Sequence, residues 1–429
     1  MQLTDSLTLP CGVTLKNRLA KAAMTEGVAD EYNRATDRLE TLYRRWAEGG
    51  AGLLLTGNVL VDKRYLERPR NVVIDGPQSP EQMQRLTAFA RAATDHDVHI
   101  WPQLSHAGRQ SPKTVVSEPV GPSAVQVKLP GGQFGQPRAL SGAEVEDVIE
   151  RFAHAAAVCQ EAGFTGVQIH GAHGYLLSEF LNPLTNQRDD EWGGSLQNRA
   201  RLLLETVAAV RSRVGSGFPV SVKLNSSDFQ KGGFDFDDCL QVVEWLDSAN
   251  IDLLEISGGS YEQPKMMGWE GMEPTFEKTV SASTKAREAY FITYAEKIAE
   301  KVKTPLMVTG GFRSRAGMEE ALQSGAANVI GIARPMCIHP DVPAQLMDGR
   351  LEQAVSWENL LAIGPGIFGP DSSVAFLKAI NGFAVMAYFY QNLFRLADGL
   401  EAKEKMPLLR TLIKHQMHEA KMGKTLVRD

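Results

Sequence analysis

The chain has 429 residues, 22% of them charged, and a formal net charge of only −6. With no long run of like charge, a nucleic-acid surface is not expected, and no uninterrupted apolar stretch of about 18 residues is present to span a membrane. The cysteines Cys11, Cys159, Cys239 and Cys337 lie far apart and form no CxxC pair, which argues against a cysteine zinc site or an iron–sulfur cluster. The N-terminal MQLTDSLTLPCGVTLKNR lacks the basic-then-apolar order of a signal peptide, so a soluble cytoplasmic protein is the expectation.

Eight short apolar runs follow one another, each with a helical pattern after it. Leu19–Thr25 precedes a helix near Arg38–Glu48, and Gly52–Val61 precedes one near Pro80–Asp97. In the second helix Met83, Leu86, Phe89, Ala90 and Ala93 recur at helical spacing and define one buried face. His99–His106 is followed by a Pro-, Gly-, Ser- and Gln-rich stretch before a helix from about Gly142, which Gly163 ends as a left-handed C′ residue. Gly166–His170 runs into His170, His173, Gly174 and Tyr175, then a polar loop, until Ser195 caps a helix starting near Leu196. Pro219–Ser226 precedes a helix over Asp235–Ala249; Leu253–Gly259 precedes a long Met-, Gly-, Pro- and Trp-rich loop and a helix from about Ala289. Pro305–Gly311 leads to a helix over Arg315–Ser324, and Asn328–Arg334 is the eighth run.

Runs apolar enough to be covered on both faces, alternating with helices, indicate parallel strands with crossover helices. Eight such units suit closure into an α/β (β/α)₈ TIM barrel of about 250 residues plus insertions. An open doubly wound sheet is the alternative, but the first strand–helix turn lacks a GxGxxG. The division expected is a barrel over 1–350 and a C-terminal helical extension over 351–429, broken at Gly364-Pro365-Gly366 and Gly369-Pro370. Its apolar patch of Phe383, Met386, Ala387, Phe389 and Tyr390 packs on the barrel, makes a subunit contact in a homo-oligomer, or flanks a hydrophobic entrance.

Barrel chemistry is built at the carboxyl ends of the strands. There the sequence offers Met24 and Thr25, Gly57 and Asn58, Gln103 and His106, the His170/His173/Tyr175 group, Lys223, Ser257 and Gly258, Gly310 and Gly311, and Ala333 and Arg334. Gly310 and Gly311 let backbone N–H groups approach a phosphate that Arg334 can clamp in bidentate fashion. Gln103 and Lys223 suit the edge of a flat heteroaromatic ring. A phosphate at one end and a ring edge at the other describe a phosphorylated flavin. Other readings stand beside these: Gly310-Gly311 as a mere strand end, Lys223 as a structural ion-pair partner, His106 as a loop-ordering residue, and His170/His173 as metal ligands. The last lacks an HxH on the first strand and a carboxylate set at the other strand ends.

These residues make the chain resemble the Old Yellow Enzyme family of FMN-dependent, NAD(P)H-using ene-reductases. The resemblance runs from about Leu7 to Met336 and rests on NRLAKAAMT, GLLLTGNV, PQLSHAGRQ, HGAHGYLL…NPLTNQR…WGGS…NR, VKLNSSDF and VTGGFRS…IGIARP. It implies a barrel with FMN at the carboxyl end, lined by Ala23, Met24 and Thr25, with Asn58 and Gly57 near the ring and Gln103 on the pyrimidine edge. Lys223 stands where many members carry Arg, and Gly311, Ala333 and Arg334 would hold the phosphate. His170, beside the flavin, and His173 would bind the oxygen of an activated alkene, and Tyr175 would donate a proton to its α-carbon after hydride transfer from flavin N5. The implied cycle is ping-pong, with NADH or NADPH as donor and a small-molecule alkene as acceptor. Thr25 replaces the cysteine of another subgroup, and the iron–sulfur cysteines of the dienoyl-CoA reductase and trimethylamine dehydrogenase relatives are missing, so electrons are expected directly from NAD(P)H. Two rival functions remain: the same flavoprotein working mainly as an NAD(P)H oxidase or quinone reductase, and a metal-dependent TIM-barrel hydrolase.

Overall fold

The computed structural model describes residues 1–129, 132–259, 291–370 and 372–427. Eight parallel strands close on themselves: β1 (Leu19–Lys21), β2 (Leu53–Leu60), β3 (His99–Ser105), β4 (Val167–Gly171), β5 (Val220–Asn225), β6 (Leu253–Ser257), β7 (Leu306–Thr309) and β8 (Val329–Ile332). Each strand pairs with the next in sequence, and β8 pairs back onto β1, as a TIM barrel requires. Helices α1 (Asp37–Glu48), α2 (Pro80–Thr94), α3 (Gly142–Glu161), α4 (Leu196–Val214), α5 (Phe236–Ser248), α6 (Ile292–Ala299) and α7 (Arg315–Gln323) lie between the strands in sequence.

Local chemistry explains the boundaries. Ser79 and Ser141 form reciprocal capping boxes with Gln82 and Glu144, while Ser195, Asp235 and Ser314 each accept a backbone N–H of the first turn of α4, α5 and α7. Gly163, at φ +91°, takes the left-handed position after α3. The α2 face is buried at Leu86, Phe89, Ala90 and Ala93, with Met83 partly so.

Alternation along the strands sorts the side chains. Val167 and Ile169, Val220, Val222 and Leu224, and Leu254 and Ile256 join the layer between barrel and helices. Inside the barrel, Ala20, Ala22, Leu53, Leu55, Trp101, Leu253, Met307 and Val329 form a separate apolar cluster with Leu9 and Leu15. Leu15 belongs to a small N-terminal hairpin (Leu7–Thr8 with Thr14–Leu15), so this cluster lies at the hairpin end of the barrel.

Two local expectations are corrected. The stretch after Tyr175 is not simply a polar loop: Leu176–Leu181 is a six-residue helix, buried throughout, because Leu176, Leu177, Phe180 and Leu181 recur at helical spacing. Several strands also stop earlier than their apolar runs. Residues 23–25, 310–311 and 333–334 lie beyond the last ladder pairs, where their backbone is released toward the barrel mouth.

After β8, a 3₁₀ turn (Arg334–Cys337), two short helices (Val342–Met347 and Trp357–Leu360) and a second 3₁₀ turn (Gly366–Phe368) lead to α8 (Ala375–Ala397) and α9 (Leu408–Lys424). α8 lies against α1 and the first 3₁₀ turn; Arg38 pairs with Asp398 at 2.7 Å. Tyr390 of α8 stacks on His415 of α9, and the Arg68 guanidinium lies 4.1 Å from the centre of the Tyr390 ring while pairing with Glu419. The expected apolar patch divides: Ala387 and Phe389 are buried, whereas Phe383 and Met386 are 44% and 38% exposed. Among the described residues no helix is long and apolar enough to cross a membrane. The long loop expected after β6 lies outside the described residues.

Candidate active site

Strand alternation aims one set of polar side chains into the barrel near its carboxyl end. β4 contributes Gln168 and His170, β5 contributes Lys223 and Asn225, and β6 contributes Glu255 and Ser257. The register sets Lys223 beside both His170 and Glu255, and Gln103 beside both Asn58 and Gln168. The resulting chain of contacts is continuous. Gln103 Nε2 donates to Gln168 Oε1 (2.6 Å), Gln168 Nε2 donates to Glu255 Oε2 (2.9 Å), and Lys223 Nζ lies 3.0 Å from Glu255 Oε1. Lys223 is thus a buried ion-pair partner on the layer just below His170.

Above this layer stand His170, His173 and Tyr175. The His170 ring centre is 5.0 Å from that of His173 and 4.9 Å from that of Tyr175, both edge to face. Burial first, and then the Lys223 charge, hold both imidazoles well below their usual range, and His170 adds to the effect on His173. Both are therefore neutral at physiological pH. His170 Nδ1 accepts the Ala172 N–H at 3.3 Å, which assigns the ring proton to Nε2 and leaves that nitrogen a donor. His173 Nε2 pairs with Ser257 Oγ at 2.7 Å.

The turn carrying these rings is strained and clamped. His173 has φ +64°, rare for a residue with a side chain. Its N–H donates to Asn225 Oδ1 (3.2 Å) and its carbonyl accepts from Gln110 Nε2 (3.0 Å). Asn225 is held in turn by Asp228, which also accepts from Asn182 Nδ2 at 2.7 Å; burial pushes the Asp228 carboxyl up to about 7. His106 sits 3.8 Å from Asp62 and against the Tyr65 ring, with its Nδ1 accepting the Gly108 N–H, the contacts of a loop-ordering residue.

The remaining expected residues fall at the same end of the barrel. Ala23, Met24 and Thr25 are partly exposed just past β1, whereas Gly57 and Asn58 are buried at the end of β2. The Asn58 side-chain oxygen is buried with no hydrogen-bond partner. Gly310 and Gly311, at φ +114° and +88°, follow β7, and Ala333 and Arg334 follow the neighbouring β8; all four are partly exposed. With no Cβ at either glycine, the backbone there can be approached closely by an anion. Arg334 is not free, however: its Nη1 lies 3.2 Å from Glu358, whose carboxylate also pairs with Arg313 at 2.5 Å. For the metal reading, no group of three or more His, Cys, Asp and Glu side chains that could hold an ion occurs among the described residues.

Glu255, Glu358 and Glu26 escaped the sequence reading. Glu255 had a signal, since a carboxylate inside the apolar run LLEIS needs a buried cation. Glu358 had none, because its partners lie 24 and 45 residues away in sequence.

Comparison with known proteins gives the family. Residues 7–353 match the model of the NADH:flavin oxidoreductase / NADH oxidase family. The NADH-dependent flavin oxidoreductase iliE of Hypocrea jecorina (strain QM6a) is 38% identical over 357 residues, 80% of this chain and 88% of that protein. The NADPH dehydrogenase of Geobacillus sp. (strain WCH70) is 32% identical over 333 residues, 77% of this chain and 90% of that protein. The solved structure of the old yellow enzyme homologue from Zymomonas mobilis superimposes with a TM-score of 0.67 at 26% identity, covering 83% of this chain and 95% of that one. The chain therefore belongs to the NADH:flavin oxidoreductase / NADH oxidase family, the Old Yellow Enzyme relatives, an oxidoreductase family with FMN as cofactor and NADH or NADPH as electron donor.

Proposed function

We propose that this protein reduces the C=C bond of activated alkenes, such as α,β-unsaturated carbonyl compounds, with electrons from NADH or NADPH. Residues 1–350 serve as the FMN-binding barrel and 351–429 as a helical extension. The observation that carries the reading is the group of two neutral imidazoles and a phenol held edge to face above Lys223.

The residues fit FMN. Asn58 has a buried oxygen in want of a donor, a need that a ring N–H meets. Gln103 of β3 and Lys223 of β5 flank β4, the strand of His170, and would serve the pyrimidine edge. Ala23, Met24 and Thr25 offer partly exposed surface for the ring, with Gly57 beside them. Gly310, Gly311, Ala333 and Arg334 would take the phosphate, with Arg334 exchanging its contact with Glu358 for that anion. The flavin supplies the hydride chemistry when bound.

The chain's own groups do the rest. His170 Nε2–H is a preorganised donor to a substrate oxygen. His173 becomes a second donor by giving up its contact with Ser257, and together they stabilise the negative charge that grows on that oxygen. A neutral donor pair stabilises that charge without the desolvation cost of burying two imidazolium ions. Tyr175, 4.9 Å from His170 ring to ring, is the proton donor to the α-carbon.

The test is the visible spectrum of the purified protein before and after anaerobic NADH or NADPH, followed by an enone, a quinone or dioxygen. A flavin spectrum that bleaches and is restored fastest by the enone supports the proposal. Faster restoration by quinone or dioxygen would favour a quinone reductase or an oxidase role, the latter also named in the family's description. A colourless protein that does not take up FMN would refute the assignment of these residues.

A further inference from the structure

Two segments of the candidate flavin site, Ala23–Thr25 and Gly57–Asn58, meet at one buried carboxylate, that of Glu26. β2 does not run regularly into its carboxyl end: its register against β3 shifts between Leu55 and Asn58, so Thr56 and Gly57 form a bulge. Bulges leave ladder groups unpaired, and here side chains take them over. Thr56 Oγ1 accepts the Gln103 N–H at 3.0 Å, and Glu26 Oε1 accepts the Gly57 N–H at 2.8 Å. A Cβ at Gly57 would lie 2.4 Å from Glu26 Oε2 and 2.5 Å from the Met24 carbonyl. Glycine is what permits the bulge to sit directly on the Met24–Thr25–Glu26 turn.

Glu26 is in turn tied to a buried cation. The Tyr43 hydroxyl of α1 donates to Glu26 Oε1, and Lys21 Nζ donates to the Tyr43 oxygen at 3.2 Å and to the Leu55 carbonyl at 2.6 Å. Lys21 is fully buried beneath α1, its ammonium 4.5 Å from the centre of the Trp46 ring. Burial lowers the Lys21 ammonium to about 8, Glu26 opposes that shift, and the charges of Lys223 and Glu255 reach it as well. Tyr43 is held as a neutral phenol, raised well above its usual range by burial and by Glu26. An isolated buried carboxylate and an isolated buried ammonium are each costly; joined through a phenol, they form one neutral unit.

We propose that Glu26 is a positioning residue whose carboxylate locks the Met24–Thr25 turn onto the Gly57 bulge, and whose charge, balanced by Lys21 through Tyr43, sets the reduction potential of the flavin bound against those segments. This rests on the assignment of Ala23–Thr25, Gly57 and Asn58 to FMN. A packing role alone would fix the backbone but leave the potential indifferent to the sign of the charge removed. An electrostatic role makes the two ends of the relay act in opposite directions.

The experiment is a redox titration of the FMN holoenzyme in four forms: wild type, Glu26→Gln, Lys21→Met and the double variant. Glu26→Gln keeps an oxygen that accepts from both Tyr43 and Gly57 but removes the negative charge, so reduced flavin is favoured. Its reduced-to-oxidised ratio at a fixed poise is expected to rise about tenfold, or about 30 mV for two electrons. Lys21→Met is expected to shift it the opposite way, and the double variant to return toward wild type. If Glu26→Gln does not fold, the sign of the Lys21→Met shift decides the matter. A wild-type potential in either single variant, or shifts of the same sign in both, would overturn the proposal while the yellow wild type leaves the cofactor assignment standing. A wild type without FMN would overturn both.

Discussion

Glu255→Gln is expected to destabilise the protein by an amount that shrinks as pH rises. Lys223 and Glu255 face each other at 3.0 Å with side chains only 5% and 0% exposed, inside a barrel whose other partner, Gln168, already uses the second carboxylate oxygen. Glutamine preserves the shape and an acceptor for Gln168 but strands the Lys223 ammonium. Removing one partner of a buried pair costs about 3–5 kcal/mol. The loss has a ceiling, because the stranded lysine can fold as the neutral amine. Releasing the proton of an ordinary lysine costs about 4.6 kcal/mol at pH 7, about 3.3 at pH 8 and about 1.9 at pH 9. The unfolded variant keeps its lysine protonated over this range and so binds more protons than the folded one. Its stability therefore climbs toward that of wild type with rising pH. Guanidinium unfolding of both proteins at pH 7, 8 and 9, with matched FMN, reads the difference directly. A gap below about 1 kcal/mol at pH 7, or one that stays constant with pH, would refute the reasoning. Lys223→Met combined with Glu255→Leu is expected to recover much of the lost stability.

Tyr175→Phe is expected to retain FMN and its reduction by NAD(P)H while alkene turnover slows about 10²–10⁴-fold in stopped-flow, the usual scale for a general acid. His170→Ala is expected to weaken titration of the flavin by a phenol about tenfold or more, since a buried donor is lost; an unchanged titration counts against its oxygen-binding role. Arg334→Ala is expected to weaken FMN by roughly 10- to 100-fold while leaving riboflavin binding little changed, because only the former carries a phosphate. The two depressed imidazoles give a pH dependence of definite sign. Below about 6.5 the unfolded chain binds their protons and the folded one does not, so their contribution is complete above that value and is lost as pH falls. Unfolding midpoints are expected to drop between pH 7 and 5, less steeply in a His170→Asn/His173→Asn variant.

The eightfold alternation and the helix starts can be read from the amino-acid order alone. Those features are local: apolar runs, serine and aspartate caps, and side chains placed just past a strand all act within a few residues. Gly166–His170 leading into His173 and Tyr175 could be read as strand followed by chemistry because β4 and the turn after it are contiguous. Even there, the apolar spacing of Leu176–Leu181 was hidden by the polar signals on either side.

Which polar groups share a burial site follows only from the closed barrel and what packs on it. Lys223 was legible as a cation at a strand end, but its neutralisation by Glu255 depends on the register of β5 against β6. Arg334 was legible as a cation just past a strand, but Glu358 reaches it from the segment beyond the barrel. Glu26 looked like one more loop carboxylate; only the bulge at Gly57 and the packing of α1 bring it to Tyr43 and Lys21. The physical reason is common to all three. Backbone propensity is set by neighbours in sequence, whereas a buried charge is tolerable only beside a counter-charge or donor, and closing a barrel supplies those partners from strands and loops far away in the chain.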